Sequence, residues 1–191
     1  GEFLYGDDKQ RKSLPAFYMD KFAVSVKQYA AFLQATGHTN PDDWTQQVKS
    51  GDRPVVNVSW HDATAYCRHY GKRLPTEQEW EKAARGTDGR KYPWGNDEPT
   101  SRHALFNTGW NGYGTLASVG SYEAGKSPYR CYDMAGNVWE WTSSDYDNST
   151  KVIRGGSWSS NANRLGTAYR YLRNPTNWYI NQGFRCAQDA S

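Results

Sequence analysis

The chain has 191 residues, which suits one domain with its own core, since domains commonly run to ~100–200 residues. Its 23 Lys and Arg against 20 Asp and Glu give a net charge of +3 with no basic run, which excludes an electrostatic footprint for nucleic acid, and no apolar stretch approaches the ~20 residues that span a bilayer. Only 37% of residues are hydrophobic while 15% are aromatic, with 9 Trp, 14 Tyr and 18 Gly, so burial must rest on aromatic plates within a loop-rich fold.

In chain order, Ser25 with Gln28 forms a capping box ahead of Val26, Tyr29, Ala30 and Leu33 at helical spacing, and Gly37 ends the run. A second helix opens at Ser59 with Asp62 as box partner, places Ala63, Tyr66, Cys67 and Tyr70 on one face and stops at Gly71. A short third helix is capped by Thr76, with Glu79 returning the bond and Gly86 closing it. Beyond Gly86 the pattern changes to short β-prone pieces at Tyr92 to Trp94, Val138 to Thr142, Lys151 to Arg154 and Gly183 to Ala187, separated by Gly, Asn, Asp and Ser turns. The fold class read from this order is α+β.

Asp133, Gly136, Val138 and Glu140 form the first candidate site. Two carboxylates around a Gly-Asn turn, with the carbonyls of Gly136 and Val138, supply the oxygen-only ligation that Ca²⁺ takes; the same residues also cap backbone N–H groups at turns. Arg73, Glu77, Glu79 and Glu81 sit at a helix opening, where acidic residues meet the macrodipole and an Arg bonds carbonyls, so they read as structural rather than as an acid/base set. His38, His61, His69 and His103 are scattered, and His61 to His69 lacks the i, i+4 metal spacing. Ser157, Ser159 and Ser160 have no recognisable base or nucleophile-elbow context.

From Trp158 to Gln182, large rings (Trp158, Tyr169, Tyr171, Trp178, Tyr179) interleave with Ser159, Ser160, Asn161, Asn163, Leu172, Arg173, Asn177 and Asn181. Rigid aromatic area beside small adaptable polar groups is the composition of a recognition surface. A Trp- and Asn-rich loop packed over the core is the other reading, and both stay open at this point.

The blocks Gly71 to Glu81 (GKRLPTEQEWE), Tyr92 to Gly95 (YPWG), Tyr132 to Trp141 (YDMAGNVWEW), Arg154 to Trp158 (RGGSW) and Gly183 to Cys186 (GFRC) follow one another in the order of the sulfatase-modifying, formylglycine-generating enzyme family, which the chain resembles from Phe3 to Cys186. The resemblance implies a single C-type-lectin-like domain over 1–191, in which Ala16 to Asp20 pairs near Gly183 to Cys186. It begins almost at residue 1 with no secretory leader ahead of Phe3, so the chain reads as a domain trimmed from a longer protein.

The resemblance also implies that the Asp133 to Glu140 loop holds structural calcium. A second, weaker calcium set would be Asn107, Thr108, Asn111 and Tyr113, with Asn111 where the family usually has Asp. Cys67 and Cys186 stand where secreted enzymes of the family have bonded cysteines. The family's oxidases carry a copper-binding cysteine pair after the Gly-Gly-Ser block, whereas Ser159 to Ala168 contains no cysteine, so no copper is expected. The 158–182 segment further resembles the variable region of retroelement-diversified proteins of bacteria and phages. Ser159-Ser160-Asn161, Tyr171-Leu172-Arg173 and Tyr179-Ile180-Asn181 correspond to the diversified triplets, except that Leu172 lies more than one adenine change from an Asn codon.

Three functions follow for test. One is a non-catalytic module binding a protein or cell-surface ligand; the second is a copper-dependent formylglycine-generating oxidase; the third is a regulatory appendage of a larger protein. Surface or secreted display by a bacterium or phage and a cytoplasmic location are equally open.

Overall fold

The computed structural model describes residues 1–190. A hairpin of β1 (Glu2–Tyr5) and β2 (Gln10–Ser13) opens the chain, and β3 (Phe17–Met19) follows. Helix α1 (Val26–Thr36) carries the Ser25/Gln28 box and ends at Gly37 in the left-handed conformation. After a one-turn α2 (Trp44–Gln47), α3 (Trp60–His69) carries the Ser59/Asp62 box and α4 (Glu77–Arg85) the Thr76/Glu79 box, closing at Gly86. Local hydrogen bonds at the caps set these boundaries, which is why the sequence pattern locates them.

The remaining strands are β4 (Trp139–Asp145), β5 (Lys151–Arg154), β6 (Arg170–Arg173), β7 (Gln182–Gly183) and β8 (Ala187–Asp189). The main sheet has the order β6-β5-β4-β7, antiparallel except for the β4 to β7 pair. β3 pairs with β8, and Asp20 and Val24 N–H donate to the Cys186 and Phe184 carbonyls, so the early and late segments meet as the resemblance implies. Two expectations are corrected. Tyr92 to Trp94 is no strand but a tight turn closed by reciprocal bonds between Tyr92 and Gly95, with Trp94 stacked on Tyr92 and His103. Gly183 to Ala187 is not one strand, because β7 ends at Gly183 and β8 begins at Ala187 in a different sheet. The β1–β2 hairpin, α2 and β6 are additions that the pattern did not announce.

The sheet separates two environments. Alternation places Trp139, Trp141, Ile153 and Tyr171 on one face, against Tyr29, Phe32, Tyr66 and Phe184 from the helix side. The other face bears Glu140, Arg154 and Arg170 and is covered by α4. There Glu81, fully buried, accepts from Arg85 (2.7 Å) and from Arg154. Glu77 takes Arg170 (2.7 Å) and Glu79 takes Arg73 through two bonds of 2.7 Å. Glu81 and Glu77 therefore join α4 to the sheet through Arg154 and Arg170, the Glu81 pairs being fully buried, while Glu79 anchors Arg73 ahead of the helix. Cys67 on α3 and Cys186 before β8 are disulfide-bonded with Cα atoms 5.9 Å apart, within the range bridged cysteines occupy. Cys131 is a free, buried thiol.

Candidate functional site

The loop from Asp133 to Glu140 is wound by left-handed residues: Asp133 (φ 56°), Gly136 (φ 76°) and Asn137 (φ 62°). Gly136 is required, because a Cβ there would overlap the Leu105 carbonyl. Asp133 and Glu140 are 6% and 1% exposed. Oδ2 of Asp133 accepts the Gly120 N–H at 2.8 Å, while its Oδ1 is buried without a partner. Burial pushes the Asp133 carboxyl up from the usual carboxylate range, against the Gly120 bond and the Arg185 charge, with the nearby Glu140 adding to the rise.

Glu140 Oε2 accepts from Trp80 Nε1 (2.6 Å) and Arg185 Nε (2.7 Å), and Oε1 from Arg185 Nη2 alone (2.7 Å). A carboxylate oxygen takes two donors or ligands, so Glu140 Oε1 keeps one lone pair and Asp133 Oδ1 keeps both. The orphaned buried oxygen and the hard donor set fit a calcium ion. Among the described residues no group of three or more His, Cys, Asp or Glu stands as a metal cluster, so an ion here needs the carbonyls of Gly136 and Val138 beside the two carboxylates.

The second set offers weaker ligation. Asn107, Thr108 and Asn111 are exposed, none of the four is a carboxylate, and the Tyr113 carbonyl already accepts from Arg53 Nη1 at 2.8 Å. That carbonyl keeps one lone pair, but the set lacks the burial and the negative charge of the Asp133 loop.

The structure divides the 158–182 segment. Trp158 and Ser160 leave the candidate surface: Trp158 is 7% exposed and fills a cluster with Val56, Leu116 and Val138, and Ser160 Oγ accepts the Ser157 N–H. Ser159, Asn161, Asn163, Asn177 and Trp178 are exposed; Tyr169, Tyr171, Leu172, Arg173, Tyr179 and Asn181 are half-buried. Tyr169 and Tyr171 pack on Trp139 with centroids 6.0 Å apart, so these two rings also cover the core side of the sheet. Asn163 and Tyr169 line a separate cleft with Lys9 and Lys91.

What remains outward lies in two groups, Arg173 with Tyr179 beside β6 and Asn181 with Ser159 just before β7, at the other edge of the main sheet. The Arg173 guanidinium lies 4.1 Å from the Tyr179 ring and 5.3 Å from the Tyr171 ring, and its Nε has no hydrogen-bond partner. Asn177 Nδ2 donates to the Tyr179 hydroxyl (3.2 Å) and Trp178, 50% exposed, to Asp42 (2.9 Å). Asn181 Nδ2 reaches Ser159 Oγ at 3.4 Å. Sequence reasoning missed the partners that hold the β6 edge. Arg154 Nη1 donates to the carbonyls of Thr167 and Tyr169 just before β6, and the RGGSW block that contains it was the available signal.

Fold and site together define a single α+β, C-type-lectin-like domain. Residues 1–190 match the model of the sulfatase-modifying factor enzyme 1-like domain, and the chain belongs to that family. It is 42% identical over 153 residues to the inactive C-alpha-formylglycine-generating enzyme 2 of Bos taurus, covering 72% of this chain and 50% of that protein, so the match spans about half the bovine relative's length. It is 32% identical over 253 residues to the formylglycine-generating enzyme of Thermomonospora curvata, with 92% of this chain and 83% of that protein covered. Among solved structures, Treponema denticola variable protein 1 superposes with a TM-score of 0.78 at 23% identity, covering 100% of this chain and 92% of that one; it shares the fold.

Proposed function

We propose that this chain is a non-catalytic ligand-binding module: a lectin-like scaffold, braced by calcium at Asp133 and Glu140, that presents Arg173, Tyr179, Asn177, Trp178, Ser159 and Asn181 to a protein or cell-surface ligand. The observation that carries the reading is the Arg173 guanidinium set between the half-buried rings of Tyr171 and Tyr179, next to a half-exposed Trp178. A cation and large rings gathered at an edge are what an interface hot spot uses. Residues 158–182 include three Arg and no Asp or Glu, which favours an acidic ligand surface. Absence of any cysteine between Ser159 and Ala168 leaves no soft thiolate pair for Cu(I) there. The likeness to a variable protein and to an inactive relative supports the same reading.

Arrays of cell-surface glycans and bacterial surface proteins, probed with the wild type and with the Arg173→Ala, Trp178→Ala, Tyr179→Ala triple variant, test this. Capture should disappear in the triple variant while its melting curve shows a folded protein. Capture that survives moves the binding face elsewhere. The Thermomonospora relative motivates the oxidase alternative, and formylglycine formed on a Cys-containing sulfatase peptide with Cu(I) and O₂, above a no-enzyme control, would establish it.

A further inference from the structure

A cleft of about 520 Å³ opens between the Asp20 to Phe22 segment, α1 and the end of α3, a size within the ~300–1,000 Å³ of small-molecule sites. None of its lining residues belongs to the Asp133 to Glu140 loop or to 158–182. Tyr66 and Tyr70, four residues apart, form its aromatic wall with ring centroids at 4.9 Å. The Tyr66 ring is fixed: it is 6% exposed, stacks on Tyr29 and meets Phe184 edge-on. Tyr70 and Phe22, 43% and 37% exposed, turn ring surface to solvent instead.

The polar groups of the cleft are held in place by one another. Lys72 Nζ donates to Asp20 Oδ1 at 2.6 Å, which leaves Asp20 Oδ2 as an acceptor and two ammonium N–H groups as donors. Gln28 Oε1 accepts from the Ser25 N–H at 3.0 Å and from its hydroxyl at 3.2 Å, so the Gln28 NH₂ is the end left to bond a guest. Burial pushes the Tyr66 hydroxyl pKa up, and the Tyr70 and Asp20 charges add to the rise, so the hydroxyl stays protonated beside that carboxylate. The Lys21 ammonium lies over the rings of Phe22 and Tyr132 at 5.3 and 5.2 Å. Asp20 is thus matched by Lys72, and Lys21 by ring faces.

A carboxylate and an ammonium side by side bond two neighbouring hydroxyls at once, one donating to Asp20 and the next accepting from Lys72. An exposed ring next to that pair suits a face of C–H groups, whose partial positive charge meets the negative ring face. We infer that this cleft binds a neutral pyranose, free or at the end of a glycan, with vicinal hydroxyls on the Asp20/Lys72 pair and one sugar face on Tyr70. Gln28 and Tyr66 supply the further donors. An anion fits poorly, because it competes with Asp20 for Lys72 and meets the Asp20 charge. An apolar guest strips water from the ion pair and returns no hydrogen bonds.

The probes are the methyl glycosides of glucose, galactose and mannose, titrated into the ¹⁵N-labelled chain. Glucuronate, inorganic phosphate and tetrahydropyran-2-methanol, which keeps the ring and lacks vicinal hydroxyls, are the comparisons. At least one glycoside should bind at millimolar concentration and shift the Gln28, Tyr70 and Lys72 amides, and it should bind more tightly than all three comparisons. Asp20→Asn, Lys72→Met and Tyr70→Ala should each weaken it roughly tenfold or more. The first two should melt near the wild type, since their side chains are 29% and 33% exposed and such a pair contributes little to stability. Tighter binding of a trisaccharide ending in the same sugar assigns a glycan, and tighter binding of the glycoside the free sugar; both sustain the site. The Arg173→Ala, Trp178→Ala, Tyr179→Ala variant should bind the glycoside as the wild type does, which separates this cleft from the proposed display surface. No glycoside binding at roughly 10 mM, a comparison compound that binds as well, unchanged affinity in Asp20→Asn and Lys72→Met, or loss of binding in the triple variant would each overturn the inference.

Discussion

Glu81→Gln should destabilise the fold by about 3–5 kcal/mol, the cost of breaking a buried ion pair by removing one partner. Glu81 is fully buried, as is Arg154, and Arg85 is 3% exposed. Glu81 Oε1 accepts from Arg85 Nη1 at 2.7 Å and from the Gly6 N–H at 2.6 Å, and Oε2 accepts from Arg154 Nη2. Glutamine keeps the shape but sets an NH₂ donor against one guanidinium, leaving two buried cations whose nearest remaining carboxylate is Glu77, 3.9 Å from Arg154 Nε. The hydrogen bonds that Arg85 donates to the Leu4, Gly6 and Gly89 carbonyls, and Arg154 to the Thr167 and Tyr169 carbonyls, persist and hold the loss within that range. For a domain of this size the melting temperature should fall by roughly 6–20 °C. Urea unfolding of the wild type, Glu81→Gln, Arg154→Met and the double variant should give a coupling above about 1 kcal/mol. A Glu81→Gln loss under about 1 kcal/mol at unchanged m-value would refute the view that this network clamps helix to sheet.

Chelation should lower the melting temperature if calcium binds at Asp133, through loss of ligand linkage, and Asp133→Asn should abolish the shift; a melting curve indifferent to chelator removes the calcium brace. Burial raises the Asp133 pKa in the folded state, so in chelator its contribution is full below the unfolded pKa and is lost as pH rises through the folded one. The Asp133→Asn variant should accordingly gain on the wild type as pH rises through the carboxylate range, read by melting at each pH. Reducing the Cys67–Cys186 bond, which closes a separation of 119 residues, should cost about 2–5 kcal/mol; thiol counting in denaturant without reductant should find Cys131 alone. Trp139→Ala, at 2% exposure and packed on Tyr169 and Tyr171, should cost ~3–5 kcal/mol, while Trp178→Ala should stay within about 0.5 kcal/mol, both by urea titration.

Legibility followed the range of the interactions. Three helices could be placed because Ser25/Gln28, Ser59/Asp62 and Thr76/Glu79 bond across three residues. Strand β6, Arg170-Tyr-Leu-Arg173, shows no alternation a reader would trust, because its strand character comes from register with β5. Tyr92 and Trp94 have β-prone rings, yet the rings stack on each other within a turn. Glu77 and Glu81 read as ordinary helix acids because their partners Arg170 and Arg154 lie 93 and 73 residues away. In the candidate surface, composition picked out the segment but not its inside from its outside. Trp158 and Trp178 are the same residue type in the same biased stretch, and only packing assigns one to a core cluster and the other to solvent.

That division has a consequence for how the surface tolerates change. The β6 backbone is held by β5 and, just upstream, by Arg154 bonding the Thr167 and Tyr169 carbonyls, contacts that do not depend on which side chain those positions carry. Ser159, Asn177, Trp178 and Asn181 tie into the rest of the molecule mainly through one or two side-chain hydrogen bonds apiece, each bond worth ~0.5–1.5 kcal/mol net. Tyr171 is the exception, since its ring covers Trp139 as well as supporting Arg173. A scaffold built this way accepts substitution at the first group at little cost to folding and resists it at Tyr171. On the proposed binding face, changes at Ser159, Asn177, Trp178 and Asn181 should therefore alter what is captured while Tyr171 stays a fixed support.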